Sequence, residues 1–241
     1  MRSSTGKFIV LDGPEGSGKS TVIEHWKKEF EAQGKKVFDF KEFWKTYDKQ
    51  PEADEVLNAD IILSAEMSYT GIGKVLREEL IKNGTNYPSL AIAEAYALDR
   101  MILYKKYYIT ALSLGKIIIT DRSVSTSLVY QPLGDATVTF EKVANLPGNK
   151  IALETPPTDL ILFQIEPSVG LKRLSTRHGK KDDAIFEHLD FQEKAYKIFM
   201  SEEYKTIFTA LGTKVHYLPA DDELDIIKQR SNNLLARILN S

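Results

Sequence analysis

Gly13-Pro14-Glu15-Gly16-Ser17-Gly18-Lys19-Ser20 is the stretch on which the fold assignment turns. Two glycines with four residues between them, followed by Lys and Ser, form the phosphate-binding P-loop pattern. Each residue type has a physical reason. The glycines let the backbone curl so that successive N–H groups point inward at phosphate oxygens. The helix that starts here adds its positive end. Lys19 is the residue that reaches the β- and γ-phosphates, and the Ser20 hydroxyl is a ligand for Mg²⁺. These eight residues, with Thr21 after them, are the candidate ATP contacts. The context agrees. Residues 8–11 form an apolar run suited to a buried strand, and residues 20–33 carry Val22, Ile23, Trp26 and Phe30 at helical spacing. Glu15 is the odd member. An acid inside a phosphate cradle repels the ligand unless a cation offsets it, and an arginine on a closing lid is the expected source.

Further strands are expected at 37–40, 117–120, 160–165 and 214–218. Helices are expected at 71–83, 88–114, 123–131 (ended by Pro132), from a Ser168 cap to about 177, at 186–200 and at 224–239. Residues 41–64 show no clean period and read as a loop or small insertion. Strands that alternate with helices imply a parallel sheet covered on both faces. The expected fold class is therefore α/β: a P-loop NTPase three-layer sandwich with a parallel five-stranded sheet and a short lid at about 177–186. One domain over 1–241 is expected, with an inserted segment at about 41–66.

The bulk numbers exclude several classes. The chain has 241 residues, 42% hydrophobic and 27% charged, with a net charge of −2. That is the balance of a globular protein, and no global field favours nucleic acid or a membrane surface. With no cysteine, neither disulfides nor thiolate metal sites contribute. No signal-peptide pattern or spanning apolar stretch is visible, so a cytoplasmic protein is expected.

Three further groups of residues carry chemistry. Asp12 ends the first strand and faces the P-loop. It reads either as a partner of Mg²⁺ or as an Asp that stabilises the turn. Asp121-Arg122 follows the strand at 117–120, where ligands gather in open α/β sheets. Asp121 is placed to help hold Mg²⁺ and Arg122 to grip an anionic acceptor, the alternative being a strand-end ion pair. Asp99-Arg100 lies in an otherwise apolar helix, with Tyr96 one turn before Arg100. This is either a base-recognition pair or a core Tyr beside a buried ion pair. Arg173, Arg177, Lys180 and Lys181 form a basic cluster that reads equally as a lid over ATP or as a solvated helix end. The four histidines are scattered and carry no assignment.

Together these residues resemble the thymidylate kinase family, from Lys7 to about Tyr204. The specific pieces are Asp121-Arg122-Ser123 running on to Ser127, Tyr130 and Gln131; Tyr96-Ala97-Leu98-Asp99-Arg100; and Thr70, Gly73 and Arg77. Arg173, Arg177, Glu187 and Phe191 match the lid and the helix after it. The resemblance implies phosphoryl transfer from ATP to dTMP with Mg²⁺. It implies that Tyr96 stacks on the base and that Arg100, Ser127 and Gln131 read its edge. Tyr130 would crowd the sugar 2′ position, Arg77 and Arg122 hold the acceptor phosphate, and Arg177 stabilise the transferring group. Catalytic roles thus fall to Lys19, Arg122, Arg177 and Asp12, and metal contacts to Ser20, Asp12 and Asp121. Glu15 in the loop resembles the bacterial type of the family, and a homodimer is implied. The family's Arg-Glu-Pro-Gly-Gly segment is replaced by Lys41-Glu42-Phe43, with Ala65-Glu66-Met67-Ser68-Tyr69 as a second candidate equivalent. Two rivals stay open: a deoxynucleoside kinase with Glu42 as base, and a nucleotide-binding sensor without catalysis.

Overall fold

The computed structural model describes residues 6–176, 185–186 and 188–241. Arg177, the basic cluster after it and Glu187 lie outside the described residues, as does most of the expected lid.

The first strand, β1 (Lys7–Asp12), runs into the P-loop and then α1 (Lys19–Ala32). After it come β2 (Val37–Asp39), α2 (Phe40–Tyr47), α3 (Ala53–Leu57) and β3 (Ile61–Ala65). Next is α4 (Gly71–Val75), which continues through a π-helical turn (Leu76–Leu80). The long helix follows as α5 (Ser89–Leu103), a second π turn (Tyr104–Tyr108) and α6 (Ile109–Ser113). The chain then forms β4 (Ile117–Asp121), α7 (Val124–Gly134), α8 (Phe140–Asn145), α9 (Pro147–Glu154) and β5 (Asp159–Gln164). It closes with α10 (Pro167–Ser175), α11 (Leu189–Phe199), α12 (Glu202–Ala210), β6 (Lys214–Pro219) and α13 (Leu224–Leu239).

Among the described residues the strands form one sheet in the order β2-β3-β4-β1-β5-β6, every pairing parallel. The pleat sorts its side chains. Ile9 and Leu11 of β1 join α1 and α13 in one core, while Phe8 and Val10 join α5, α7 and α12 in the other. This is the expected three-layer sandwich, but with six strands rather than five. The extra strand is β3, inside the stretch read as loop or insertion. All five of its residues are buried: β2 and β4 pair its two edges, while α2 packs on the face of Ile62 and α1 on that of Ile61 and Leu63.

Two helix boundaries marked by proline also differ from expectation. Pro132 does not end α7, which continues to Gly134. It falls in the last turn, where one missing N–H leaves the preceding turns intact. The N-cap of α10 is Glu166 rather than Ser168, because Pro167 takes the first helical position, where its fixed φ suits the turn.

Candidate active site

The P-loop lies where β1, near the centre of the sheet, hands over to α1. Gly13, Gly16 and Gly18 all take positive φ, which a side chain would resist. A Cβ on Gly16 would come within 2.0 Å of the Gly170 carbonyl oxygen, so α10 braces the loop from behind. Lys19 is folded back on the loop. Its Nζ donates to the carbonyls of Gly13 (3.2 Å) and Pro14 (2.8 Å) and to Ser17 Oγ (3.0 Å). Burial first, and Arg122 second, push its pKa down to about 8.

A cavity of about 930 Å³ opens from this loop. Its lining includes Glu15, Lys19, Ser20 and Asp121 together with Arg77, Tyr96, Arg100, Arg122, Ser127, Tyr130 and Gln131. The expected acceptor-side residues, scattered from position 77 to 131, are therefore gathered around one space that Lys19 also lines. Arg77 donates to the carbonyls of Met67 (2.8 Å) and Ser68 (3.3 Å) and lies 4.0 Å from the centre of the Tyr69 ring. Arg100 is buried. Its Nε donates to Glu66 at 2.5 Å, one terminal nitrogen donates to Ser127 Oγ at 2.9 Å, and the other to Asn149. Asp99 is not paired with Arg100 through a hydrogen bond. Instead it accepts from Ser68 N (2.7 Å) and Ser68 Oγ (2.6 Å), fixing the turn before α4. Burial pushes the Tyr96 hydroxyl up to about 12, so the ring stays neutral. Gln131 carries a buried side-chain oxygen with no hydrogen-bond partner among the described residues. Such a group suits a ligand's ring N–H.

Arg122 ties the P-loop and the end of β1 to α7. It is a non-glycine residue at φ +70, a strained conformation of the kind found at sites. Its guanidinium donates to Asp12 (3.0 Å), Thr126 (3.2 Å) and Glu15 (2.6 Å), and lies 5.3 Å from the centre of the Tyr130 ring. Among the described residues, the cation that offsets Glu15 is Arg122; the lid arginine expected for that role, Arg177, lies outside them.

The metal contacts need correction. Asp12 is fully buried and does not line the cavity. Its oxygens accept from Gly13 N, Arg122, Ser125 Oγ and Thr126 Oγ1, so it serves as an anchor for the loop and for Arg122. Ser20 Oγ and Asp121 do line the cavity, and the hydroxyl donates to Asp121 Oδ2 at 2.6 Å. A hydroxyl beside a carboxylate suits Mg²⁺, which takes one or two protein ligands and fills its octahedron with phosphate oxygens and water. Among the described residues no cluster of three or more His, Cys, Asp or Glu would form a metal cage. Nearby cations, Lys41 and Lys19 foremost, hold the Asp121 carboxyl well below the usual range against the cost of burial.

Residues 53–229, more than half of the chain, match the family model described as thymidylate kinase. This chain belongs to the thymidylate kinase family. It is similar to the thymidylate kinase of Caldicellulosiruptor saccharolyticus, 31% identical over 195 residues that cover 80% of this chain and 81% of that protein. It is similar to that of Bacillus velezensis at 26% identity over 228 residues, 93% and 92% of the two chains. A protein of Pyrobaculum aerophilum named probable thymidylate kinase is 26% identical over 194 residues, 80% and 81% of the two chains.

Seen as a thymidylate kinase, the chain places some expected residues outside the cavity. Arg173 does not line it. It donates to the carbonyls of Ala220 (2.8 Å), Asp221 (3.4 Å) and Asp222 (3.2 Å), tying α10 to the end of β6. Thr21, in the first turn of α1, does not line it either. Four residues with work in or behind the site had no sequence assignment. Lys41 lines the cavity from α2, and Glu66 lines it while pairing with Arg100. Asn149, on α9, holds Arg100 from behind. Gln192, on α11, accepts from Glu15 N (3.0 Å) and donates to the Tyr130 hydroxyl (3.0 Å) and the Phe186 carbonyl (2.9 Å). Lys41 and Glu66 each left a signal, because they stand in the two candidate equivalents of the Arg-Glu-Pro-Gly-Gly segment; Asn149 and Gln192 left none. Burial pushes the Glu66 pKa up to about 7, against the opposing pull of Arg100.

Proposed function

We propose that this protein transfers the γ-phosphoryl group of ATP to dTMP, giving ADP and dTDP. The observation that carries the reading is that Arg77, Arg100 and Arg122 line the same cavity as Lys19 and Ser20. One space then offers a P-loop for the donor and a guanidinium set for a phosphorylated acceptor, within the size range of nucleotide sites. The P-loop amides and Lys19 hold the β- and γ-phosphates. Arg77 and Arg122 draw the acceptor phosphate into line, and Tyr96, Arg100, Ser127 and Gln131 hold the pyrimidine. In-line transfer needs little covalent help, so positioning and charge neutralisation supply the rate. Mg²⁺, held through Ser20 and Asp121, supplies neutralisation of the developing phosphate charge when bound.

The nucleoside-kinase rival needs a carboxylate base beside the acceptor hydroxyl. Glu42, its candidate, points away: it pairs with Lys27 at 2.5 Å, and its side chain is 65% exposed. A homodimer and a cytoplasmic location belong to the same proposal. The apolar residues Leu90, Leu98 and Ile109, exposed along the long helix, support association, and light scattering would read the dimer mass directly. Among the described residues, no helix is long and apolar enough to cross a membrane.

ADP release measured against a panel of nucleoside monophosphates and thymidine tests the reading. dTMP should give the highest kcat/KM, and Arg77→Gln should raise the KM for dTMP by about tenfold, the worth of one charge-assisted contact, with little change for ATP. Faster turnover with thymidine than with dTMP would transfer the assignment to a nucleoside kinase. ATP binding without ADP release for any acceptor would leave a sensor.

A further inference from the structure

Lys41 belongs to α2, which precedes the matched span of 53–229. Its Nζ lies 2.9 Å from Asp121 Oδ2 and 3.4 Å from Ser20 Oγ. It therefore rests on the two side chains best suited to Mg²⁺, at the cavity wall rather than on the surface. We propose that Lys41 is a mobile catalytic cation that leaves Asp121 when the metal–nucleotide binds and moves onto the transferring phosphoryl group. The proposal rests on the phosphoryl-transfer reading above and adds a residue to it.

Three observations carry the proposal. First, the competition is local. Asp121 Oδ2 already accepts from Ser20 at 2.6 Å and from Lys41 at 2.9 Å. A divalent ion on the same carboxylate would face the ammonium at like-charge contact distance. The ammonium must yield, and the nearest new anions are the phosphate oxygens that arrive with the ion. Second, the platform beneath the stem is fixed. Asp39 caps α2 through the amides of Lys41 (2.9 Å) and Glu42 (3.3 Å), and Asp39 is itself paired with Lys27 at 3.2 Å. Trp44 is buried against Phe40 and stacks on Tyr69, the ring under Arg77. Only the four-carbon stem and its three rotatable donors are free to swing. Third, the three arginines on the cavity wall have different partners. Arg122 is held by Asp12 and Glu15, Arg100 by Glu66, and Arg77 by two backbone carbonyls. Lys41 is held by a group that the metal–nucleotide claims.

The step balances without a proton. The γ-phosphorus gains a bond to an oxygen of the acceptor phosphate and loses its bond to the oxygen bridging to the β-phosphorus. Lys41 stays protonated throughout and contributes only charge.

The test uses the full-length protein and Lys41→Gln, with two readouts. The affinity of Mn²⁺–ADP, followed by electron paramagnetic resonance without acceptor, should rise several-fold in the variant, because a competitor for Asp121 is gone. In steady-state assays kcat should fall by about 10²-fold, as for loss of one preorganised charge at a transition state, with the KM for ATP nearly unchanged. Lys41→Arg, which keeps the charge, should recover part of kcat. A kcat within threefold of wild type, or a Mn²⁺–ADP affinity that is unchanged or weaker in Lys41→Gln, overturns the proposal. A wild-type protein that releases no ADP with any monophosphate overturns the transfer reading itself, a different result from a Lys41 variant that turns over normally.

Discussion

At the residue scale, two buried charges at the P-loop make opposite predictions. Lys19 has its pKa lowered to about 8, chiefly by burial. Bound phosphates favour its charged form, so its pKa in the complex lies higher than in the free protein. Below pH 8 the ammonium is already present and ATP binds at full strength. As pH rises through 8, binding must also take up a proton, and affinity falls by up to about tenfold per pH unit until the pKa of the complex is reached. Calorimetric titration of ATP from pH 7 to 10 should show this slope, and Lys19→Met should remove it. A flat profile in the wild type would show that Lys19 is not the group meeting the phosphates. Asp12 behaves differently, because it anchors its neighbours and has no access to the cavity. Asp12→Asn should cost about 3 kcal/mol in urea unfolding, since Arg122 loses a buried partner. Mn²⁺–ADP affinity should stay within twofold. Loss of metal binding at unchanged stability would restore Asp12 as a ligand.

At the scale of elements, the site depends on helices that a single sequence announces poorly. The helix α9 packs across α5 so closely that a Cβ on Gly148 would come within 1.7 Å of the Ala97 carbonyl oxygen. That approach brings Asn149 to Arg100, three residues on from Ala97. Gly148→Ala should therefore push α9 away at a cost of about 1–3 kcal/mol in stability. It should also raise the KM for dTMP more than that for ATP, because the displaced partner belongs to the acceptor half. Equal rises for both substrates would mean that α9 supports the fold alone. The same geometry explains what was legible. The P-loop, β1, β4, β5 and the long helix carry local signals: a glycine pattern, apolar runs and a sustained period. The strand β3 is only five residues long and follows a stretch without period, although Ile61-Ile62-Leu63 is the kind of short apolar run a buried strand shows. Lys41 and Asn149 reach partners 80 and 49 residues away, and such pairings leave no mark on the spacing of nearby residues.

At the scale of the whole molecule, the parallel sheet places the carboxyl ends of β1 and β4 side by side, with Leu11 opposite Asp121. The donor loop grows from one and the Asp121-Arg122 pair from the other. The helices α5 and α7 add Tyr96, Arg100, Ser127, Tyr130 and Gln131 to the same cavity's lining. If this one cavity holds both nucleotides with their phosphates facing, a molecule that joins them should outbind either alone, because one association replaces two. Adenosine and thymidine linked through five phosphates would test this geometry without any turnover. At about 1,000 times its Kd such a ligand adds about 4 kcal/mol to folding stability. For a chain of this size that is a rise in Tm of about 8–16 °C. The same compound with two adenosines should raise Tm less, because Arg100 and Gln131 would meet a purine where a pyrimidine edge fits. Equal shifts from the two compounds would separate the cavity's charge, which any polyphosphate satisfies, from its base selectivity, and would remove Tyr96, Arg100 and Gln131 from the reading site.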